Sequence, residues 1–298
     1  MRGAERSTAR AERSRRPRIP VRRLSDLSVN RMVPNVLTLL ALCAGMTAVR
    51  YAMNGHFQAA VVAIMVAGVF DGLDGRIARL LKSTSRFGAE LDSLADFVSF
   101  GVAPAAVLYL WTMSALGSLG WAIVVFYAVC CALRLARFNT QLSADQPAYA
   151  AGFFSGAPAP AGAGLVMVPM FMAFGWGDYV FRSPYLNAVT VSAVALLMVS
   201  TIPTFSLKRI RIPHHLVMPT LLGVGVTAAF VTTAPWPTLT LVGLTYIASI
   251  PLTVRAYWRL KREAEAKKSE LAQIDTVVPL PQPAARGDDG APGQERRH

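Results

Sequence analysis

From residue 34 to residue 256 apolar positions run almost without interruption. The blocks are too long for core strands and too uniformly apolar for the one-sided helices of a soluble protein. A helix that crosses a bilayer needs about 20 mainly apolar residues. Eight blocks approach that length, near 34–53, 57–81, 87–113, 116–137, 158–175, 185–204, 214–233 and 237–256. Turn-forming residues mark breaks between them: Asn54-Gly55, Gly117 with Gly120, Gly175-Trp176-Gly177, and Pro235 with Pro237. The pattern predicts an all-α, polytopic membrane bundle of about eight transmembrane helices.

Charge sharpens this reading through its distribution. Residues 33–254 contain 11 Lys or Arg and 7 Asp or Glu, while the flanks hold the other 19 basic and 10 acidic residues. So few charges cannot cover a water-exposed surface, which excludes a secreted domain, a nucleic-acid reader and an ordinary soluble enzyme. The net charge of +13 owes much to ten Arg in the first 32 residues, where basic residues beside a span fix orientation and attract anionic lipid. Lys82, Arg86, Arg134, Arg137, Lys208, Arg209 and Arg211 fall at alternate connections, against Arg50 and Arg182 at the others. This bias predicts an inner-membrane protein with both termini and the three basic connections in the cytoplasm. The expected organisation is a basic tail at 1–33, a membrane domain at 34–256, a solvated helical extension at 257–273 and a disordered tail at 274–298. Cys43, Cys130 and Cys131 lack metal-ligand spacing and are expected in the core, while Trp111, Trp176 and Trp236 are expected as interfacial anchors.

Five of the seven acids of the apolar middle, Asp71, Asp74, Glu90, Asp92 and Asp96, fall in one 26-residue window. An ionised carboxylate within a bilayer is costly unless paired or metal-bound. Asp71 and Asp74, three apart, share a helical face near the end of the second span; Asp92 and Asp96, four apart, share one at the start of the third. A short connection makes these helices antiparallel neighbours, so four carboxylates can surround one pocket. Hard oxygen ligands suit Mg²⁺, Mn²⁺ or Ca²⁺, and the absence of nearby His or Cys argues against zinc. Small residues around both pairs permit close helix approach or leave room for a ligand. Arg79 on the acidic side suggests an anion between guanidinium and metal. The alternatives are a salt-bridge network of Arg76 and Arg79 with the acids, and a divalent cation transporter using the cluster as its path.

Residues 71–96, DGLDGRIARLLKSTSRFGAELDSLAD, match D-x2-D-G-x2-A-R-x8-G-x3-D-x3-D, and in this the chain resembles the CDP-alcohol phosphotransferase family. The resemblance implies transfer of a phosphoalcohol from a CDP-linked donor to a hydroxyl acceptor. It also implies a divalent site, Mg²⁺ or Mn²⁺ and two ions, held by Asp71, Asp74, Asp92 and Asp96, with Asp96 also the general base. Asp74, Gly75, Ala78, Arg79 and Gly88 would hold the CDP moiety.

The segments PNVLTLLALCAG at 34–45, CALRLARFN at 131–139, FFSGAPAPAGAG at 153–164 and STIPTFSLKRIRIP at 200–213 are similar to the bacterial, integral-membrane, serine-using branch of that family, with Ala157 departing from the Leu expected there. That likeness implies CDP-diacylglycerol as donor, L-serine as acceptor and CMP as product, among membrane lipids and with a homodimer as one admissible assembly. Glycerol phosphate, inositol phosphate or choline would be the acceptor in sister enzymes. A zwitterionic acceptor needs a cation for its carboxylate, and Arg134, Arg137, Asn139 and Lys208 are the candidates, with positive-inside anchoring as the plainer reading of the basic groups. His214 and His215 are expected as helix-start residues.

Overall fold

The computed structural model describes residues 29–81, 85–141, 153–200, 203–205 and 217–277. Residues 29–33 of the expected N-terminal tail and 274–277 of the expected disordered tail are helical, while the rest of both tails, together with Lys82, Lys208, Arg209, Arg211, His214 and His215, lies outside the described residues.

Helix α1 spans Val29–Met53 and α2 spans Phe57–Leu80, joined by a turn in which Gly55 takes φ +77°. The third span starts as α3, Arg86–Asp96, widens into a π turn over Phe97–Val102, and resumes as α4, Ala103–Trp111. Helix α5 covers Ser118–Gln141. The fifth span is two stacked helices, α6 at Ala159–Val166 and α7 at Val168–Trp176, with Pro169 at the junction. Then follow α8, Pro184–Val199, α9, Val217–Thr233, and α10, Pro235–Val277.

Among the described residues each of the eight apolar blocks is mainly helical, and six of the helices are long and apolar enough to cross a membrane. The other two, Pro184–Val199 and Met218–Thr233, are shorter. At 1.5 Å per residue a 16-residue helix reaches about 24 Å, less than the roughly 30 Å hydrocarbon core. The sixth block was expected to run to residue 204 but ends at Val199, where Ser200 leaves the helical region with ψ 158°. Pro203–Phe205 instead forms strand β2, antiparallel to β1 at Phe153–Ser155, in the register Phe153 to Phe205 and Ser155 to Pro203. This ribbon had no sequence forecast, since three-residue strands carry no readable alternation.

Small residues set the packing. Ala41, Ala48 and Ala52 of α1 and Ala60, Val61, Ile64 and Ala67 of α2 are buried, so these two helices lie against each other along most of their length. The exposed faces are themselves apolar, as at Leu39, Val69, Leu94, Leu133 and Leu196, which is the surface a lipid-facing bundle needs. This is a multi-pass membrane protein. Two expectations change. Cys43 is exposed on α1, whereas Cys130 and Cys131 are buried; a thiol is apolar enough to face lipid without cost. Trp111 is 3% exposed and stacks edge-on with Phe174, so it fills the core, while Trp176 is exposed as an anchor would be.

Candidate active site

The functional side chains gather where α1 begins, α2 ends, α3 begins and α5 ends, so all four helices contribute from the same end of the bundle. The α2 terminus brings Asp71 and Asp74, and α3 brings Asp92. One carboxylate oxygen from each lies within 4.8 Å of the others, an arrangement that could hold a metal ion. Asp74 is buried, and its Oδ2 accepts a 2.7 Å hydrogen bond from Thr38 Oγ1 of α1. That bond orients one ligand oxygen while leaving the other for an ion. Asp96, one turn past Asp92, comes within hydrogen-bonding reach of Asp71. Carboxylates crowded in this way repel unless something positive is shared between them.

Helix α3 is started by Ser85, whose Oγ accepts from the Gly88 amide at 2.9 Å. Gly88 has no room for a side chain: a Cβ there would lie 2.9 Å from Asn35 Oδ1 and 3.1 Å from Ser85 Oγ. Gly75 is the reverse, since a Cβ there would meet nothing within 4 Å. Its open side faces a cleft of about 200 Å³ whose walls include Asn35, Thr38, Asp74, Ala78, Gly88 and Asp92. Arg79 is exposed and turns back on its own helix, Nε donating to the Gly75 carbonyl at 2.9 Å. That bond ties the side chain to the backbone of Gly75, which lines the cleft.

The expected acceptor residues separate. Arg134, largely buried, has its charge close to Asp96 and Asp71, and its guanidinium lies 5.8 Å from the Phe138 ring centre. Its Nε is a buried donor with no hydrogen-bond partner among the described residues. Arg137 instead donates from Nη1 to the Val199 carbonyl at 2.7 Å, closing the C-terminal end of α8. Asn139 Nδ2 donates to Ser93 Oγ at 2.9 Å, tying the end of α5 to the residue after Asp92. Thr38 and Asn35 escaped the sequence reading, because an isolated Thr or Asn in an apolar helix carries no pattern until its partner is known, and Ser93 was read only as a small residue beside the acids.

The fold and this site define an intramembrane carboxylate centre beside an open cleft, and the chain belongs to the CDP-alcohol phosphatidyltransferase family, whose model matches residues 31–205. A second model, CDP-alcohol phosphatidyltransferase 2, matches residues 215–251. Among individual relatives, the CDP-diacylglycerol–serine O-phosphatidyltransferase of Mycobacterium leprae is 39% identical over 247 residues, covering 81% of each chain. The protein of that name from Mycobacterium tuberculosis (strain ATCC 25618 / H37Rv) is 40% identical over 239 residues, 78% of this chain and 82% of its own. That of Bacillus subtilis is 31% identical over 182 residues, 61% of this chain and 90% of its own.

Proposed function

We propose that this chain is a phosphatidylserine synthase that transfers the phosphatidyl group of CDP-diacylglycerol to the hydroxyl of L-serine and releases CMP. The observation that carries the chemistry is the convergence of Asp71, Asp74 and Asp92 beside a cleft lined by the motif glycines. The serine acceptor is supported by relatives of that activity matching four-fifths of the chain. The carboxylates fit a divalent metal, since they are hard donors, close together, and one is already oriented by Thr38. Mg²⁺ or Mn²⁺, as two ions, bound by Asp71, Asp74, Asp92 and Asp96 would offset the diphosphate charge and favour departure of CMP.

The protein's own groups do the rest. Gly75 and Ala78 leave the cleft wall low enough for the nucleotide to approach the backbone, Gly88 lets α3 close against Asn35 beside it, and Arg79, bonded to the Gly75 carbonyl, is the cation assigned to the diphosphate. Arg134, whose Nε has no partner among the described residues, is the cation assigned to the serine carboxylate. Asp96 takes the proton of the serine hydroxyl as its oxygen bonds to the phosphorus bearing diacylglycerol. The anhydride bond to CMP breaks, and CMP carries away the electron pair. Acyl chains stay in the bilayer, and the site end of the bundle faces the cytoplasm, as the basic connections favour. Purified protein given CDP-diacylglycerol and either L-serine, glycerol phosphate, inositol phosphate or choline tests the assignment. Serine-dependent CMP release supports it, and release with another acceptor alone overturns it.

A further inference from the structure

The third span does not continue as an α-helix past its last acidic residue. Its backbone widens into the π turn Phe97–Val102 directly after Asp96 and narrows again at Ala103. The sequence explains the position. In an α-helix the Phe100 carbonyl would accept from the residue four ahead, which is Pro104; proline has no N–H, and its ring collides with that carbonyl. Phe100 is 2% exposed, so its carbonyl needs a donor other than water. Tyr127 of α5, with no exposed surface, supplies one: its hydroxyl donates to the Phe100 oxygen at 2.8 Å.

The turn is also fixed against its neighbours. Ser99 Oγ donates to the Ala41 carbonyl at 3.2 Å, and a Cβ on Gly45 would lie 2.8 Å from that Oγ. A Cβ on Gly101 would lie 3.1 Å from Cys131 Sγ. Packing thus holds the span from Ser99 onward to α1 and α5. A π turn inserts one residue into the α repeat, a rotation of roughly 100° between the helix before it and the helix after. Before it stand Asp92 and Asp96.

We propose that Tyr127 is a positioning residue for Asp96: by holding the Phe100 carbonyl in the widened turn, its hydroxyl keeps the rotation of the span at which Asp92 and Asp96 face Asp71. The kinetic consequence rests on the role given to Asp96 above. Tyr127 itself touches no substrate and acts through the backbone.

Two variants of the full chain test this, Tyr127→Phe and Tyr127→Phe with Pro104→Ala. The first removes only the hydroxyl; the second also gives the Phe100 carbonyl an amide donor in ordinary α geometry. Tyr127→Phe is expected to lower kcat about tenfold to a hundredfold, the scale of a small misplacement of a reacting group, with the KM for serine close to wild type. In the double variant the unfolding temperature should return toward wild type while kcat stays low, because the carbonyl is satisfied and the rotation is lost. Recovery of both would mean that the hydroxyl serves only to satisfy a buried carbonyl, and would overturn the proposal, as would wild-type kcat in Tyr127→Phe. Mn²⁺ affinity, followed by electron paramagnetic resonance without substrates, separates this from the assigned reaction. Weaker Mn²⁺ binding by Tyr127→Phe supports the positioning role even if the wild type fails to use serine, and unchanged binding overturns it.

Discussion

Gly75 and Gly88 occupy the same motif and have opposite surroundings, so the same substitution should do different damage at each. Alanine at Gly75 meets nothing in the protein, and Gly75→Ala is expected to raise the KM for CDP-diacylglycerol while leaving thermal unfolding unchanged. Alanine at Gly88 presses on Asn35 Oδ1 and on Ser85, the residue that caps α3, so Gly88→Ala should lower stability by about 1 kcal/mol, the usual worth of a cap, in a detergent melt. Asp71→Asn and Asp92→Asn should each abolish turnover and weaken Mn²⁺ binding, yet insert and fold, since a neutral amide is cheaper in a low dielectric than an unpaired carboxylate. Wild-type activity persisting in EDTA would refute the metal role. Arg134→Ala should raise the KM for serine roughly tenfold to a hundredfold, the worth of a charge-assisted contact, with little effect on the donor. Lysine there should rescue poorly because it lacks the planar fork, and equal use of ethanolamine and serine by the wild type would remove any carboxylate-reading role.

At the scale of helices and turns, the acids, glycines and Arg79 were legible in the sequence because their spacing alone puts them on two facing helix ends. What completes the arrangement was not legible. Thr38 reaches Asp74 across 36 positions, and Tyr127 reaches Phe100 across 27, so neither leaves a local pattern. The π turn had one sign, Pro104 within an apolar span, but a proline reports only that a bond is missing and not where the freed carbonyl goes. Arg137 was grouped with Arg134 because they are three apart, yet the contact at Val199 gives it an architectural partner. Arg137→Ala should therefore cost stability, by about 1.5 kcal/mol for a part-buried bond from a charged donor, more than it shifts the KM for serine. A melting curve and serine titration of the two variants side by side distinguish these roles.

Over the whole molecule, the carboxylates Asp71, Asp74, Asp92 and Asp96 are confined to one end. Toward the other, Ala48 and Ala52 of α1, Ala60 and Val61 of α2, Val107 and Leu108 of α4 and Val124 of α5 are buried against one another. Beyond them Trp111, Phe174 and Trp236 stack in series, with centroid separations of 6.3 and 4.8 Å. With an even number of spans both termini should lie on the site side, which reporter fusions at each end would check. The aromatic plug has an electrical meaning. A membrane that stores energy as voltage cannot tolerate a leak, and a cluster of carboxylates within it is the kind of feature that conducts in channels. The apolar packing beyond the cluster favours a site closed on that side, so the protein is expected to bind a divalent ion without conducting it across the bilayer. Proteoliposomes carrying the protein should keep an imposed potential and an Mg²⁺ gradient as long as empty vesicles do.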